Sequence, residues 1–520
     1  MKFRDKIFSR ETNWEGILDV QALAGVSFEE VIYFIKSMEK RTYTRIKYVH
    51  AQCAFFYCLY YNGYMHLTAR GIVETLQKKG YQAYWAGGCV RDMLLGITPK
   101  DFDIVTSALP DEIESIFEKT IPIGKKFGVI LAIINEHHFE IATFRSDASS
   151  SDGRRPDAVI FTSAEEDAKR RDFTINALFY DPIADKIYDY VNGQTDLDAK
   201  LIRFIGDPEK RIEEDYLRIL RAIRMKNTFQ FQYHPDTYTA VKANARHVTQ
   251  ISAERVQDEL NKMILSPHPR KAFEEMEDTG LLQYIMPEMI AMKGVAQPFE
   301  YHQEGDVWEH AMRSIDALRN QKARVSTAPL ASLEVHWATI LHDIGKPDTF
   351  KLGNDRIHFN GHATRSAEIA HDIMTRLKFP RRMIDHVMWL TTHHMMMVQL
   401  IDMPIEKRLQ WFHHPLFLEL MEVFHADAAG TDAGPGSEKE DSENFELYYQ
   451  ILDLYRTDLA DTPHPPKPLI TGTDLMNALD LRPGPRLGEL LHQLYELQLA
   501  KKITTKEEAI EWVRKNAGIV

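Results

Sequence analysis

Two aspartates, Asp101 and Asp103, stand one residue apart at the mouth of an apolar run, Ile104-Val105. In an extended chain, residues two apart point to one side, so this spacing predicts two carboxylates aimed together. Like charges that close are unfavourable unless a cation neutralises them, and Mg²⁺ shared with substrate phosphates does so. Upstream, Gly87 and Gly88 stand where an apolar strand, Tyr84–Ala86, hands over to a helix, Val90–Leu95. Glycines admit a ligand close to the backbone, and a helix N-terminus offers free N–H groups to anions. Arg91, in that helix's first turn, adds a forked donor for phosphate oxygens. Alone, a glycine pair is usually a turn and a DxD a solvated loop. In this order they predict a site for a metal-bound nucleoside triphosphate.

Other elements must position these groups. Ala69–Lys79 has a helical pattern, Val129–Ile134 reads as a buried strand and Phe139–Phe144 as an alternating one. Glu140, on the last of these, is the candidate third carboxylate for positioning the metal or an attacking hydroxyl. Ser146–Pro156 is a polar loop, and Glu165–Leu178 reads as a helix carrying Arg171, Asp172 and Asn176, with phosphate- and ribose-bonding chemistry. Glu213–Arg224 reads as another helix. Its Asp215, Arg218, Arg221 and Arg224 recur every third residue, so neighbours in the series share a face.

Bulk properties bound the rest. A chain of 520 residues accommodates several domains, and 27% charged with 44% hydrophobic residues is ordinary globular composition. Three cysteines, Cys53, Cys58 and Cys89, make no disulfide framework, which fits a reducing cytoplasm. No apolar run is long enough to span a bilayer. A net charge of −13 argues against indiscriminate nucleic-acid binding, and no DNA partner is expected. Residues 1–64 are unlike the remainder. Asp19–Phe34 has the pattern of a helix-turn-helix or of two ordinary amphipathic helices, the latter favoured; Ala51–Tyr64 is aromatic, and Met65 is an alternative start.

The segments GGCVRDMLLG, KDFDIVT, ATFRSD, DGRRPD, RRDFTINAL and EEDYLRILRAIR, in this order, resemble the class II tRNA CCA-adding nucleotidyltransferases and bacterial poly(A) polymerases. The resemblance runs from about Met65 to the C-terminus. It implies template-independent nucleotide transfer from CTP and ATP to a tRNA 3′ end, with Mg²⁺ on Asp101 and Asp103. Gly87, Gly88, Arg91, Arg171, Asp172 and Asn176 would hold the nucleotide. It also makes Asp215 and Arg218 the base readers and gives Arg221 and Arg224 to phosphate contact or helix bracing. The physics is simple: an aspartate accepts from the exocyclic amine of cytosine or adenine, where uracil and guanine present a carbonyl oxygen. Ile123–Val129 (IGKKFGV) looks like the CCA-adding pattern, and a full-length Ser146–Pro156 loop disfavours CC-only addition. An A-adding enzyme or a poly(A) polymerase is the alternative.

A second constellation follows: His310, His342-Asp343 in HDIGK, His362, His393-His394 and Asp427. It resembles the HD superfamily of phosphohydrolases. That resemblance places His310, His342, Asp343 and Asp427 as ligands of a transition metal or Mg²⁺, with His362 and His393 for a second ion. A rival of another class makes this domain the working enzyme and the head only a tRNA-binding module. Arg255, Lys262, Arg270, Lys271, Arg482, Arg486, Lys501 and Lys502 are candidate tRNA contacts, although charged helix faces are normally just solvated. The expected fold is α+β: a polymerase-β-like head at 65–203, a helical neck and body at 204–295, an all-α HD domain at 296–430, and an acidic linker with a helical tail at 431–520.

Overall fold

The computed structural model describes residues 64–147, 159–299, 302–319, 331–353, 356–431, 443–460, 464–479 and 482–516. The readings made on Asp19–Phe34, on the aromatic run before Tyr64, and on most of Ser146–Pro156 lie outside the described residues. Two compact units emerge: 1–146 with 159–168 and 176–190, and 147–158 with 169–175 and 191–520.

The first unit opens with helix α1 (residues 64–78). There follow β1 (Ala83–Ala86), α2 (Gly88–Leu94), β2 (Asp103–Thr106), α3 (Pro110–Ile116), β3 (Thr120–Gly124), β4 (Val129–Ile134) and β5 (His137–Thr143). Then come β6 (Arg145–Asp147), β7 (Val159–Phe161), α4 (Ala164–Lys169), β8 (Leu178–Asp181) and β9 (Lys186–Asp189). Seven strands form one sheet in the order β3-β4-β5-β2-β1-β8-β9. Its pairs are antiparallel except β2 with β5, which run parallel with Ile104 opposite Ile141. Every residue of β1 is buried, as a central strand covered on both faces must be. Trp85 packs on Phe102, and Tyr84 stacks with Phe144 and Phe179. These rings are the core behind the edge that carries the aspartates.

One expected element is corrected here. Glu165–Leu178 is not one helix. The helix ends at Lys169, a short 3-10 turn spans Thr174–Asn176, and Leu178 already belongs to β8. Phe173, Ile175, Ala177, Leu178 and Phe179 are all buried, a run without helical period that pairs and packs instead. Asp172 turns its carboxylate onto the N–H of Phe173, a local bond that competes with helix.

In the second unit, α5 (Pro208–Glu214) starts on Asp207, whose side chain accepts from the Glu209 N–H, and α6 (Leu217–Phe229) follows. The expected continuous helix Glu213–Arg224 is broken at Asp215, which is extended at φ −159°. Its carboxylate accepts from the Leu217 N–H at 3.0 Å, so Asp215 sits in the corner between two helices. The equal spacing from Asp215 to Arg224 therefore lies on one helix only from Arg218 onward. Arg211, on α5, donates to the carbonyls of Lys169 and Arg170, which ties 169–175 to this unit.

The longer helices that follow include α7 (Ala253–Ile264), α8 (Pro269–Asp278), α9 (Val307–Ala317), α10 (Leu333–Leu341), α11 (His362–Arg376), α12 (Arg381–His393), α13 (Ile405–Phe412) and α14 (Phe417–Gly430). Helix α15 spans Glu443–Ala460. The tail is α16 (Gly472–Leu479), α17 (Pro485–Leu499) and α18 (Lys506–Asn516), closed on Leu475, Leu490, Leu494, Ala509 and Val513. No helix among the described residues is long and apolar enough to cross a membrane.

Candidate functional site

Asp101 and Asp103 are both exposed and flank the buried Phe102, the alternation an extended chain gives. The register between β2 and β5 adds a third group. Since Ile104 pairs with Ile141, one step back sets Asp103 beside Glu140. Glu140 is exposed while Phe139 and Ile141 on either side are buried, so the three carboxylates share a sheet face. Behind them, burial and then the field of Asp103 and Asp101 push the Cys89 thiol up to about 12. Cys89 is consequently an inert thiol hydrogen-bonded to the Ala86 carbonyl. Gly87 precedes α2 and Gly88 opens it. Arg91 is buried, donating through Nη1 to Asn176 Oδ1 at 2.6 Å and through Nε to Asp92 Oδ1 at 2.9 Å. Two expected nucleotide-binding residues, Arg91 and Asn176, thus meet.

The donors of the second unit are organised separately. Asp172 is buried and held by Arg221 through Nε at 2.7 Å and Nη2 at 2.5 Å. Arg224 pairs with the buried Glu259 at 2.6 Å. Arg218 donates to Glu214 at 2.5 Å and to the carbonyls of Arg211 and Arg170. Asp215 accepts from Arg255 Nη2 at 2.6 Å. Arg255, a candidate RNA contact in the sequence, is engaged with Asp215 instead. Arg270, another such candidate, is occupied by Glu274 and Glu309.

The histidine–aspartate constellation is buried in the second unit. His310 lies on α9, His342 and Asp343 follow α10, His362 opens α11, and Asp427 lies on α14. His310 Nε2 is 2.9 Å from Asp427 Oδ1 and 3.3 Å from His342 Nε2. His342 Nε2 is 3.2 Å from Asp343 Oδ2. On the other oxygen, Asp343 Oδ1 lies 3.4 Å from His362 Nε2 and 3.9 Å from His394 Nε2, and those two nitrogens are 3.3 Å apart. One carboxylate therefore joins two trios, His310–His342–Asp427 and Asp343–His362–His394.

The second trio corrects the sequence expectation: its member is His394, not His393. Helix α12 ends at His393, whose ring packs on Trp389 and Trp411 and whose Nδ1 donates to the Trp389 carbonyl. A rotation of one residue carries His394 inward. Gly345 is the joint that makes the approach work. A Cβ there would lie 2.5 Å from Ser366 N and 2.8 Å from the His362 carbonyl, so only glycine lets the HDIGK turn lie against α11.

The donors fit a divalent metal. His342, His362 and His394 each donate Nδ1–H to a backbone carbonyl, of Thr339, Phe359 and Thr391, which leaves Nε2 as the inward nitrogen. Asp343 Oδ1 is buried and accepts no hydrogen bond. Burial opposes ionisation of Asp343 and Asp427, but the surrounding histidines hold both well below the usual carboxylate range. Burial alone would lower His342, yet Asp343 and Asp427 lift it to about 10; burial and His342 hold His394 down at about 4. The buried Asp343 and the partly covered Asp427 thus demand positive charge where imidazole nitrogens converge, and imidazole with carboxylate oxygen suits a transition metal. Lys346, missed in the sequence, supplies one cation at 2.6 Å from Asp343 Oδ2.

Parts of the chain are similar to known proteins. The model described as "Poly A polymerase head domain" matches residues 83–203. "Probable RNA and SrmB- binding site of polymerase A" matches 230–293, and "tRNA nucleotidyltransferase domain 2 putative" matches 362–513. The CCA-adding enzyme of Staphylococcus epidermidis is 42% identical over 218 residues, 42% of this chain and 54% of that protein. That of Geobacillus thermodenitrificans is 37% identical over 278 residues, 53% of this chain and 63% of that protein. The chain thus spans little more than half the length of these relatives. The Bacillus stearothermophilus CCA-adding enzyme, solved with CTP, superposes with a TM-score of 0.63 at 25% identity, over 86% of this chain and 96% of that one. A CCA-adding enzyme solved with ATP shares the fold at a TM-score of 0.54 and 19% identity, over 88% of this chain and 96% of that one.

Proposed function

We propose that the chain, which is similar to the CCA-adding enzymes and carries a match to the poly(A) polymerase head, is a metal-dependent nucleotidyltransferase that adds the CCA 3′ end to tRNA from CTP and ATP. The observation that carries this reading is the shared face of Asp101, Asp103 and Glu140. Two exposed aspartates and a flanking glutamate suit Mg²⁺, which keeps much of its shell for substrate phosphates and water. A magnesium ion bound by Asp101 and Asp103 would supply charge neutralisation for the triphosphate and the departing pyrophosphate. The reaction is in-line displacement: the tRNA 3′-hydroxyl attacks the α-phosphorus and gives up its proton to water, a P–O bond forms, and pyrophosphate leaves with the electron pair of the broken one. Arg91 and Asn176, already paired, and Arg171 offer donors to the nucleotide. Asp215, whose oxygens each retain acceptor capacity beyond the Leu217 and Arg255 bonds, reads the exocyclic amine with Arg218.

The test uses transcripts ending before CCA, after CC and after CCA, each with CTP, ATP, both, GTP or UTP. Addition of two cytidines and one adenosine, followed by arrest, supports the reading. Incorporation of adenosine alone, and only on the CC-ended transcript, overturns it in favour of an A-adding enzyme.

A second activity is favoured by the two trios bridged by Asp343. We infer a metal-dependent phosphohydrolase centre of HD type, ligated by His310, His342, Asp343 and Asp427, with His362 and His394 for a second ion. A divalent ion there would supply Lewis acidity toward a phosphoryl oxygen. Release of phosphate or opening of a 2′,3′-cyclic phosphate, lost in Asp343→Ala while nucleotide transfer persists, is the expected result. A preparation inactive on both substrates with every divalent ion overturns it.

A further inference from the structure

We propose that Glu304 is a positioning residue of the histidine–aspartate centre: its carboxylate fixes His310 by Nδ1 so that Nε2 is presented inward, and His302 buttresses that carboxylate from the outer side. The inference rests on the metal-centre reading above. Glu304 Oε1 lies 2.9 Å from His310 Nδ1 and 2.7 Å from His302 Nδ1. The Glu304 and His310 side chains are fully buried, and 17% of the His302 side chain is exposed.

His310 has a side-chain partner where the other three histidines of the centre use the backbone. His342, His362 and His394 stand at helix ends or turns, and each finds the backbone carbonyl three residues back. His310 lies inside α9, where carbonyls are engaged in the helical ladder. The partner of its Nδ1 is a side chain from outside the helix, the Glu304 carboxylate.

The chain is built to deliver one. Asp306 caps α9 through Oδ1, which accepts from the Glu309 N–H at 2.8 Å, and its Oδ2 accepts from the Gly294 N–H at 2.6 Å. Gly305 has φ +133°, a conformation that side chains disfavour, and it separates an inward Glu304 from a capping Asp306.

His302, Glu304 and His310 are also close enough to hold an ion of their own. That would require His310 to offer Nδ1 to one ion while Nε2, 2.9 Å from Asp427, serves another. A neutral imidazole has a single lone pair, so the carboxylate is an orienting partner rather than a ligand.

The experiment is titration of the ion-free full chain with Co²⁺, followed by visible absorption and calorimetry, for wild type, Asp343→Asn, Glu304→Gln and His302→Gln. Wild type is expected to bind and Asp343→Asn to lose binding. Glu304→Gln should bind the same number of ions about 10- to 100-fold more weakly, the usual cost of removing an orienting partner, and His302→Gln more weakly still than wild type but by less. A wild type that takes up no cobalt overturns the metal-centre reading, and this proposal with it. Unchanged affinity in Glu304→Gln overturns the proposal alone, as does loss of one ion from the stoichiometry in both outer variants, which would make Glu304 a ligand. Should Glu304→Gln fail to fold by circular dichroism, His302→Gln decides: weakened cobalt binding at unchanged stoichiometry supports the proposal, and wild-type affinity overturns it.

Discussion

Arg255 Nη2 donates to Asp215 Oδ2 across 2.6 Å, so a residue of α7 fixes the carboxylate at the corner between α5 and α6. A base reader gains discrimination only if it cannot swing to accommodate the wrong edge. Arg255→Ala should therefore lower fidelity more than turnover. A hydrogen bond to a charged group contributes about 1.5–3 kcal/mol, so UTP or GTP misincorporation should rise about 10- to 100-fold relative to CTP and ATP. Single-nucleotide kinetics on a CC-ended transcript measure it; an unchanged ratio would leave Arg255 only a bracing role.

Asp101→Ala and Asp103→Asn should each abolish nucleotide transfer, by about 10³-fold or more, given the several kcal/mol a metal contributes to charge stabilisation. Because both side chains are exposed, stability should change by no more than about 0.5 kcal/mol. Paired activity and thermal melts check this, and transfer retained at wild-type rate would remove the aspartates from the chemistry.

Arg221→Ala should act chiefly on stability. It takes the guanidinium away from the Asp172 carboxylate, which is 8% exposed and keeps the Phe173 N–H. Breaking a buried pair costs about 3–5 kcal/mol, reduced here to about 2 because Arg221 is partly exposed. Denaturant unfolding would detect the loss, and Arg221→Ala combined with Asp172→Asn should recover part of it. A melt unchanged in Arg221→Ala, with weakened nucleotide binding instead, would make Arg221 a ligand contact.

The pair of His386 and Glu419, 3.0 Å apart, gives a pH signature. The contact with Glu419 raises His386 from 6.5, despite burial. Burial acts upward on Glu419, but His386 leaves it below 4.5. The histidine's contribution is fully present below its unfolded pKa and is lost as pH rises through the raised folded value. The glutamate's is present above its unfolded pKa and is lost as pH falls through the depressed one. Glu419→Gln should therefore cost most near pH 6, about 1 kcal/mol for this partly exposed pair, and progressively less toward pH 9. Melting curves of both proteins across that range test it; a constant difference contradicts the pairing.

The placement of the head's two aspartates was legible because it is written in a local periodicity. Asp101 and Asp103 flank a buried Phe102, and a period of two shows in three residues of sequence. What failed depended on distant partners or on fractions of a helical turn. Choosing His394 over His393 requires knowing where α12 stops, an angle that a His-His pair does not disclose. Glu304 sits in a turn without periodicity, so nothing marked it beyond its nearness to His310. Asp215 looked like part of a helix because acids and arginines on either side favour one. Its own carboxylate, bonding the Leu217 N–H, makes the corner, a competition invisible to spacing. Residues 165–178 were misread for a related reason: acids suited to a helix start precede an apolar run that a sheet claims.

The one parallel pairing in the main sheet has a consequence for biogenesis. Antiparallel neighbours joined by short turns can zip as they emerge, but β2 meets β5 only after β3 and β4 have been made and folded back. Glu140 arrives beside Asp103 with that late docking and not before. On the function proposed above, a head still in synthesis, or one whose β5 has come loose, would lack its third carboxylate, and competence to handle a triphosphate would report that the sheet has closed. Loss of triphosphate binding should then precede global unfolding, with the amide hydrogens of β5 exchanging ahead of those of β1.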